Sequence, residues 1–353
     1  KANRLIPGGT HLLSKRPELF LPKQWPTYFK KAKDCFIWDQ NNKKYIDLCF
    51  MGVGTNILGY SNDLIDRKVI KTLKTSNMST LNSLEEIKLA EELIKLHPWF
   101  DMARFTRSGG EANAVAIRIA RSATGKDQVA ICGYHGWHDW YLAANLKNKN
   151  SLNNLLMKGL KYSGVPKNLS NSVFPFKYND FKGLNKLIKN NPNIGVIKME
   201  VSRNFGPENN FLQKVKKLAS KNKIILIFDE CTSGFRETFG GLHKKYNVKP
   251  DMMILGKALG NGYAINAILG KKKIMKNVEN TFISSTFWTE RIGPTAALET
   301  LKLMKKYKSW NKISKTGRKI KKKWKLIANK YQIPIKINGL ESLPSFEILD
   351  ANW

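Results

Sequence analysis

Ile224 to Gly262 reads IILIFDECTSGFRETFGGLHKKYNVKPDMMILGKALGNG. An apolar, strand-like run from Ile224 to Phe228 delivers Asp229 at its C-terminal end. A second run, Met252 to Leu255, delivers Lys257 just past its own end. Working outward, the chain alternates strand and helix. Strands are expected at Ala103–Thr106, Val129–Cys132, Ile194–Glu200 and Ala267–Leu269, and helices at Glu111–Ala123 and Phe211–Lys221. This alternation argues a doubly wound α/β fold with a mostly parallel sheet. Ligands of such sheets sit outside the carboxyl ends of the strands. One carboxylate and one lysine are therefore presented to the same crevice.

That pairing suits pyridoxal 5'-phosphate (PLP). A lysine forms a Schiff base with its aldehyde, and an aspartate pairs with its protonated pyridine nitrogen. The pair alone is not specific, because many strands end in an acidic residue and Lys is the commonest charged residue here. Upstream, Arg107-Ser-Gly-Gly-Glu-Ala-Asn113 follows a strand and opens a helix. The N–H groups of Gly109 and Gly110 at that helix N-terminus are placed to cradle a phosphate, assisted by the Ser108 hydroxyl. A plain strand–helix turn is the alternative.

The remaining elements are simpler to read. Residues 1–35 are expected to be irregular, and Cys35–Phe50 to form a hairpin around the turn cluster Asp39-Gln-Asn-Asn-Lys43. Helices are expected at Asn62–Thr75 and Ser83–His97, the second opened by a capping box of Ser83 and Glu86. Asn145–Lys161 reads as a polar loop with some helix. His135 and His138 are the one close histidine pair. Their spacing would need a helix to bring them together, and Gly136 opposes one, so no metal site is expected.

With 353 residues, 42% of them apolar, the chain has enough material for a large core and two structural units. The apolar runs are strand-sized, so no membrane span is expected. Lys1–Pro7 carries no apolar leader segment, which reads as cytoplasmic, and a start at Lys rather than Met reads as a trimmed or partial chain. The four cysteines are widely spaced and read as reduced. The net charge of +34 first points to nucleic acid, but the 61 Lys and Arg are spread along the whole chain without a recognition motif. No specific nucleic-acid role is expected, only weak binding at low salt. Lys302–Lys330 carries Leu301, Met304, Trp310, Ile313, Ile320, Trp324 and Ile327 at helical spacing on or beside it, and reads as an amphipathic surface helix pair.

In order along the chain, Ile227-Phe-Asp-Glu230, Ser233-Gly-Phe-Arg236, Pro250-Asp251 and Leu255-Gly-Lys-Ala-Leu-Gly-Asn-Gly262 closely resemble the class III aminotransferases, which are fold-type-I PLP enzymes. Gly234-Phe235-Arg236 is most similar to the glutamate-1-semialdehyde 2,1-aminomutase branch. The hairpin and its glycine-rich exit, Cys35–Tyr60, resemble the N-terminal segment of the same family. The resemblance runs from Pro7 to about Pro344. It implies a mostly parallel, seven-stranded sheet between helices, with a small α+β domain built from both chain ends. By that match residues 1–60 belong to the small domain, 61–300 form the PLP-binding domain, and 301–353 open the small domain's C-terminal part, which is expected to be incomplete here.

The resemblance also implies roles. Lys257 carries the Schiff base and then moves a proton between the substrate Cα and the cofactor. Asp229 holds the ring nitrogen protonated. Ser108, Gly109 and Gly110 hold the phosphate, with Gly110 standing where the family has Thr, so that one side-chain contact is lost. Tyr134, in a Tyr-His-Gly step, lies over the ring, and His135 supports it or lines the substrate side. Glu200 contacts the cofactor face or closes its strand. Thr286, within Phe282–Glu290, matches a residue that reaches the neighbouring subunit's phosphate, which implies a homodimer. Its Trp-Thr-Glu-Arg surroundings resemble a subgroup associated with cell-surface sugar biosynthesis. Arg16, Arg203 and Arg236 are candidates to grip a substrate carboxylate.

The expected reaction is transfer of an amino group from an amino-acid donor, glutamate by the resemblance, to a carbonyl acceptor. An intramolecular aminomutase is the alternative. Against it, Pro7-Gly8-Gly9 is followed by Thr10-His-Leu-Leu-Ser-Lys15, and Met78-Ser-Thr-Leu-Asn82 lacks the mutase's glycine-containing stretch. A truncated, non-catalytic homologue is the third reading.

Overall fold

The computed structural model describes residues 1–349 except 22, 50, 154, 156–158 and 203. Its centre is a seven-stranded sheet. The strands are β4 (Met102–Thr106), β5 (Gln128–Cys132), β6 (Val173–Pro175), β7 (Ile194–Glu200), β8 (Ile225–Glu230), β9 (Met252–Leu255) and β10 (Asn266–Gly270), in the order β4-β10-β9-β8-β7-β5-β6. The five strands from β9 to β6 are parallel, and β10 runs antiparallel to both its neighbours. The expected mostly parallel sheet is thus present, with β10 as its reversed strand. β6 has no counterpart in the sequence reading. It is three residues long and ends in Pro175, which an edge strand tolerates.

β7, β8 and β9 are buried at every position. Helices cover both faces, which is why β8 and β9 read as apolar runs, while β7 is interrupted by Lys198. The helix Gly109–Thr124 seals one face, with Ala112, Val115 and Ile119 against Val196, Ile227 and Ile254. The helices Phe181–Asn190 and Phe211–Lys221 seal the other, where Leu184, Ile188, Leu212 and Val215 meet Ile197, Leu226 and Phe228. Phe211–Lys221 shows how its sequence dictates this. Phe211, Leu212, Val215, Leu218 and Ala219 form one buried stripe, while Lys214, Lys217 and Lys221 face solvent. Full burial of each such large apolar side chain contributes roughly 1.5–3 kcal/mol. Lysines placed this way on outer helix faces contribute to the net charge of +34.

The N-terminal region departs from expectation. β1 (Phe29–Lys33) lies within the stretch read as irregular and pairs antiparallel with β2 (Phe36–Asp39), which pairs with β3 (Lys44–Ile46). The expected hairpin is therefore the outer part of a three-stranded sheet. It ends at Ile46, and residue 50 lies outside the described residues. Helices Asp63–Leu73 and Leu84–Leu96 form as read, but Ser83 makes no side-chain cap. The capping box occurs instead at Ser108 and Glu111, at the same sequence spacing. The basic helix pair is present as Ile292–Tyr307 and Ser309–Lys330. Leu301 and Met304 are buried, but Ile327 is 53% exposed, so the second helix's apolar stripe is only partly covered. β11 (Ile335–Leu340) and β12 (Leu343–Ile348) form a separate antiparallel pair. Within Asn145–Lys161 a short helix, Ala144–Lys147, reaches the start of the expected loop. Among the described residues no helix is long and apolar enough to cross a membrane.

Candidate active site

The register of the sheet aligns the strand ends that carry chemistry. Glu200 on β7 pairs with Asp229 on β8, and Asp229 in turn pairs with Ile254 on β9. Lys257 follows β9 in a left-handed conformation, φ 42°, and opens a 3-10 turn. A non-glycine residue rarely adopts this backbone, and such strain gathers at functional sites. The Lys257 Nζ donates to the Thr232 hydroxyl at 2.9 Å. Thr232 lies three residues past Asp229, so one short loop ties the lysine to the strand that carries the acid.

Asp229 is buried and well partnered. Its Oδ2 accepts from His135 Nδ1 at 2.9 Å, its Oδ1 accepts from the Cys231 N–H at 3.1 Å, and the Lys198 ammonium lies 3.8 Å from Oδ2. Burial alone would raise its pKa. Lys198, His135 and the Cys231 N–H outweigh that and hold the carboxyl well below the usual carboxylate range. His135 has no exposed surface, and burial pushes its pKa down, so the ring is neutral and its Nδ1–H is the donor. The sequence reading gave His135 a supporting role beside Tyr134 or a place on the substrate side; in the structure its ring lies against Asp229, and its Nε2 has no hydrogen-bond partner among the described residues.

The loop after β5 is held from below. Gly133 adopts φ 121°, and a Cβ there would come within 2.6 Å of Glu200 Oε2. With that space left open, Glu200 Oε2 accepts the Tyr134 N–H at 3.2 Å, and the Tyr141 hydroxyl donates to the Gly133 carbonyl at 3.0 Å. Glu200 therefore supports the Tyr134 backbone from the end of β7. The Tyr134 ring meets Tyr141 edge-on, with centroids 6.0 Å apart.

At the other end of the crevice, Gly109 and Gly110 open their helix with N–H groups that its hydrogen-bond ladder leaves available. The Ser108 hydroxyl oxygen accepts the Glu111 N–H, and Glu111 accepts the N–H groups of Arg107 and Ser108. The Ser108 oxygen is thus engaged as a cap, and its O–H remains the donor. Arg107 anchors the segment opposite. Its Nε lies 2.6 Å from Glu290 Oε1, and its Nη2 donates to the carbonyls of Trp288 and Glu290. Thr286 lies on the exposed turn Thr286–Thr289 beside that anchor, flanked by the exposed rings of Phe282 and Phe287.

The arginines divide. Arg236 is buried and donates from Nε to the Thr232 carbonyl and from Nη2 to the Gly54 carbonyl, beside the Lys257 chain. It fastens the loop under Lys257. Arg16 lies against Gly8 in the N-terminal segment. Arg203 lies outside the described residues.

Three contributors escaped the sequence reading: Thr232, Lys198 and Glu230. Glu230 is fully buried and accepts from the Ser233 hydroxyl, the Leu242 and His243 N–H groups and His243 Nδ1. It pins the loops after β8 into place. Its position directly after Asp229, at the end of a strand buried on both faces, was the available signal.

These residues fit PLP. A carboxylate kept ionised, a lysine at the strand mouth, a ring-bearing loop and an open pair of helix N–H groups face one crevice. The family profile described as aminotransferase class-III matches residues 22–352. A 3-aminobutyryl-CoA aminotransferase of Cloacimonas acidaminovorans is 32% identical over 98% of this chain and 81% of its own length. A glutamate-1-semialdehyde 2,1-aminomutase of Wigglesworthia glossinidia brevipalpis is 35% identical over 100% of the chain and 81% of its own. An omega-transaminase from Sphaerobacter thermophilus superposes with a TM-score of 0.86 at 24% identity, over 98% of this chain and 81% of that one.

Proposed function

The chain belongs to the class III aminotransferase family, is a PLP-dependent enzyme, and on that premise we propose that Lys257 is its reactive amine in a transamination from an amino-acid donor, glutamate, to a carbonyl acceptor. The observation that carries this reading is the Lys257 Nζ held by Thr232, three residues beyond the buried, ionised Asp229. PLP supplies an aldehyde for the lysine and a ring that draws electrons from the reacting carbon. Asp229 would hold the ring nitrogen, Tyr134 the ring face, and the N–H groups of Gly109 and Gly110 with the Ser108 hydroxyl the phosphate. His135 and Lys198 keep Asp229 ionised and fixed. Lys257 Nζ takes and returns the proton at the substrate α-carbon, oriented by the Thr232 hydroxyl. The exposed apolar rings around Thr286 support a homodimer in which Thr286 reaches the neighbouring site.

A second reading, an intramolecular amino shift, is favoured by the likeness to the aminomutase of Wigglesworthia glossinidia brevipalpis. Dependence on an external donor separates the two, because a mutase turns over without one. The test is the visible spectrum of the purified protein with PLP, before and after borohydride, beside Lys257→Ala. The expected result is a band abolished by reduction, with the cofactor left covalently on the peptide that contains Lys257. Equal behaviour of wild type and Lys257→Ala would end the enzyme reading and promote the non-catalytic one.

A further inference from the structure

Lys198 places an ammonium group inside the hydrophobic core. It sits in β7 with no exposed surface, and the sheet register sets it between Ile131 on β5 and Ile227 on β8. The helix Gly109–Thr124 covers the same face with Ala112, Val115, Ala116 and Ile119, while its own Glu111, Arg118 and Arg121 bond elsewhere. The Lys198 Nζ has no hydrogen-bond partner among the described residues. It lies 3.8 Å from Asp229 Oδ2, too long for a hydrogen bond but a strong charge interaction in a low-dielectric core. Burial pulls the Lys198 pKa down, and Asp229, the Cys231 thiol and Glu200 pull it up. Glu200 is two residues along β7 on the same face, and His135 and Lys257 are the other titratable groups around this cluster. Asp229 is therefore committed before any cofactor arrives. Its Oδ2 meets both His135 and the Lys198 ammonium, and its Oδ1 the Cys231 N–H. A carboxylate carries one negative charge, and two cations that share it repel each other, so each is favoured less than it would be alone.

We propose that Lys198 shares Asp229 with the ring nitrogen of PLP, and thereby makes that nitrogen give up its proton more readily than Asp229 alone would allow. The proposal rests on the reading of Asp229 as the partner of the ring nitrogen. Lys198 acts through the Asp229 charge, which makes it a positioning residue. Its consequence is a milder electron sink. A ring that holds its proton loosely draws electrons less strongly from the reacting carbon, so more of the work at that carbon falls to Lys257 as proton carrier. Lys198 thus tunes the reaction from the core side of the sheet.

The test compares binding of two compounds to the cofactor-free protein: PLP, and its carbocyclic analogue in which a C–H replaces the ring nitrogen. The ratio of the two affinities reads the ring nitrogen alone. Lys198→Met keeps the apolar stem of the side chain and removes the charge, and Lys198→Gln removes the charge while keeping a donor. Both variants are expected to prefer PLP about tenfold more strongly than wild type does, the equivalent of one pKa unit at the ring nitrogen. The direction is diagnostic, because damage to the site would shrink the preference, whereas removal of a competing cation enlarges it. With the ring nitrogen isotopically labelled, its NMR resonance should show the ring proton lost at higher pH in the variants than in wild type. Melting of each cofactor-free protein identifies any variant that fails to fold. A ratio that does not rise, or a titration that does not move, in a folded variant overturns the proposal and leaves the cofactor reading intact. If neither variant folds, the wild-type titration decides: a ring nitrogen still protonated at about pH 9 is held by Asp229 without competition, and one already deprotonated there bears the proposal out. A wild type that binds neither compound overturns both readings.

Discussion

His97 should make this protein measurably acid-sensitive well above the range where carboxylates titrate. It ends the helix Leu84–Leu96 with no exposed surface. Its Nδ1–H donates to the Leu93 carbonyl at 2.8 Å, and its Nε2 has no partner among the described residues. The ring is packed among Trp99, Phe100 and His243. Burial lowers its pKa from 6.5 to about 3; the Leu93 carbonyl and Glu230 pull the other way, while Lys244 and His243 add to the depression. Above pH 6.5 the ring is neutral in both folded and unfolded chains. As pH falls from 6.5 toward 3, the unfolded chain takes up a proton that the fold refuses, so stability present at neutral pH is lost. From pH 7 to pH 5 the loss from His97 alone is about 2 kcal/mol. His97→Phe keeps an aromatic ring and removes the titration, at the expense of one hydrogen bond of about 1 kcal/mol. The variant should be less stable than wild type at pH 7 and equal or more stable at pH 5. Urea unfolding of both proteins at the two pH values measures this. His135 and His138 are also held low by burial and add to the slope in both proteins, so the comparison isolates His97. Parallel pH dependences would refute the argument.

Two further outcomes follow from the buried charges. Glu230→Gln replaces a carboxylate that accepts four hydrogen bonds with an amide that turns an N–H₂ toward N–H donors; it should cost about 2–4 kcal/mol in denaturant unfolding, and a loss under 1 kcal/mol would remove Glu230 from its pinning role. Lys198→Met and Asp229→Asn should each destabilise the cofactor-free protein by about 3 kcal/mol, because each strands the other's buried charge, whereas the double variant should lose clearly less than the sum. Additive losses would mean that the two do not act as a pair.

The strand ends were legible because a parallel strand buried on both faces leaves a trace, an apolar run that stops at a polar residue. Asp229 and Lys257 are such stops, and their common crevice followed from the parallel sheet. The partners of those residues were not legible, for a physical reason. Thr232 and Lys257 are 25 residues apart, His135 and Asp229 94 apart, and Arg107 and the Trp288 carbonyl 181 apart. Their meeting depends on loop paths that periodicity does not encode. The capping boxes make the same point at short range. Ser83 and Glu86 have the spacing of Ser108 and Glu111, yet only the latter pair closes. Residue types fix what a turn is able to bond, while neighbours decide the rotamer.

Lys198 is a signal in the sequence whose meaning burial makes plain. Lysine is almost never fully buried without a partner. In Ile194-Gly-Val-Ile-Lys-Met-Glu200 it interrupts a strand whose neighbours on both sides are apolar. Alternation along the strand puts it on the same face as Glu200, and the sheet register puts Glu200 beside Asp229. The strand pattern alone marks Lys198 as a buried cation, while its place beside the acid follows only from the register. Gly110 is the converse case, a missing side chain rather than an odd one. What packs over it, the His138 ring, lies on a different element, and only the fold brings the two together.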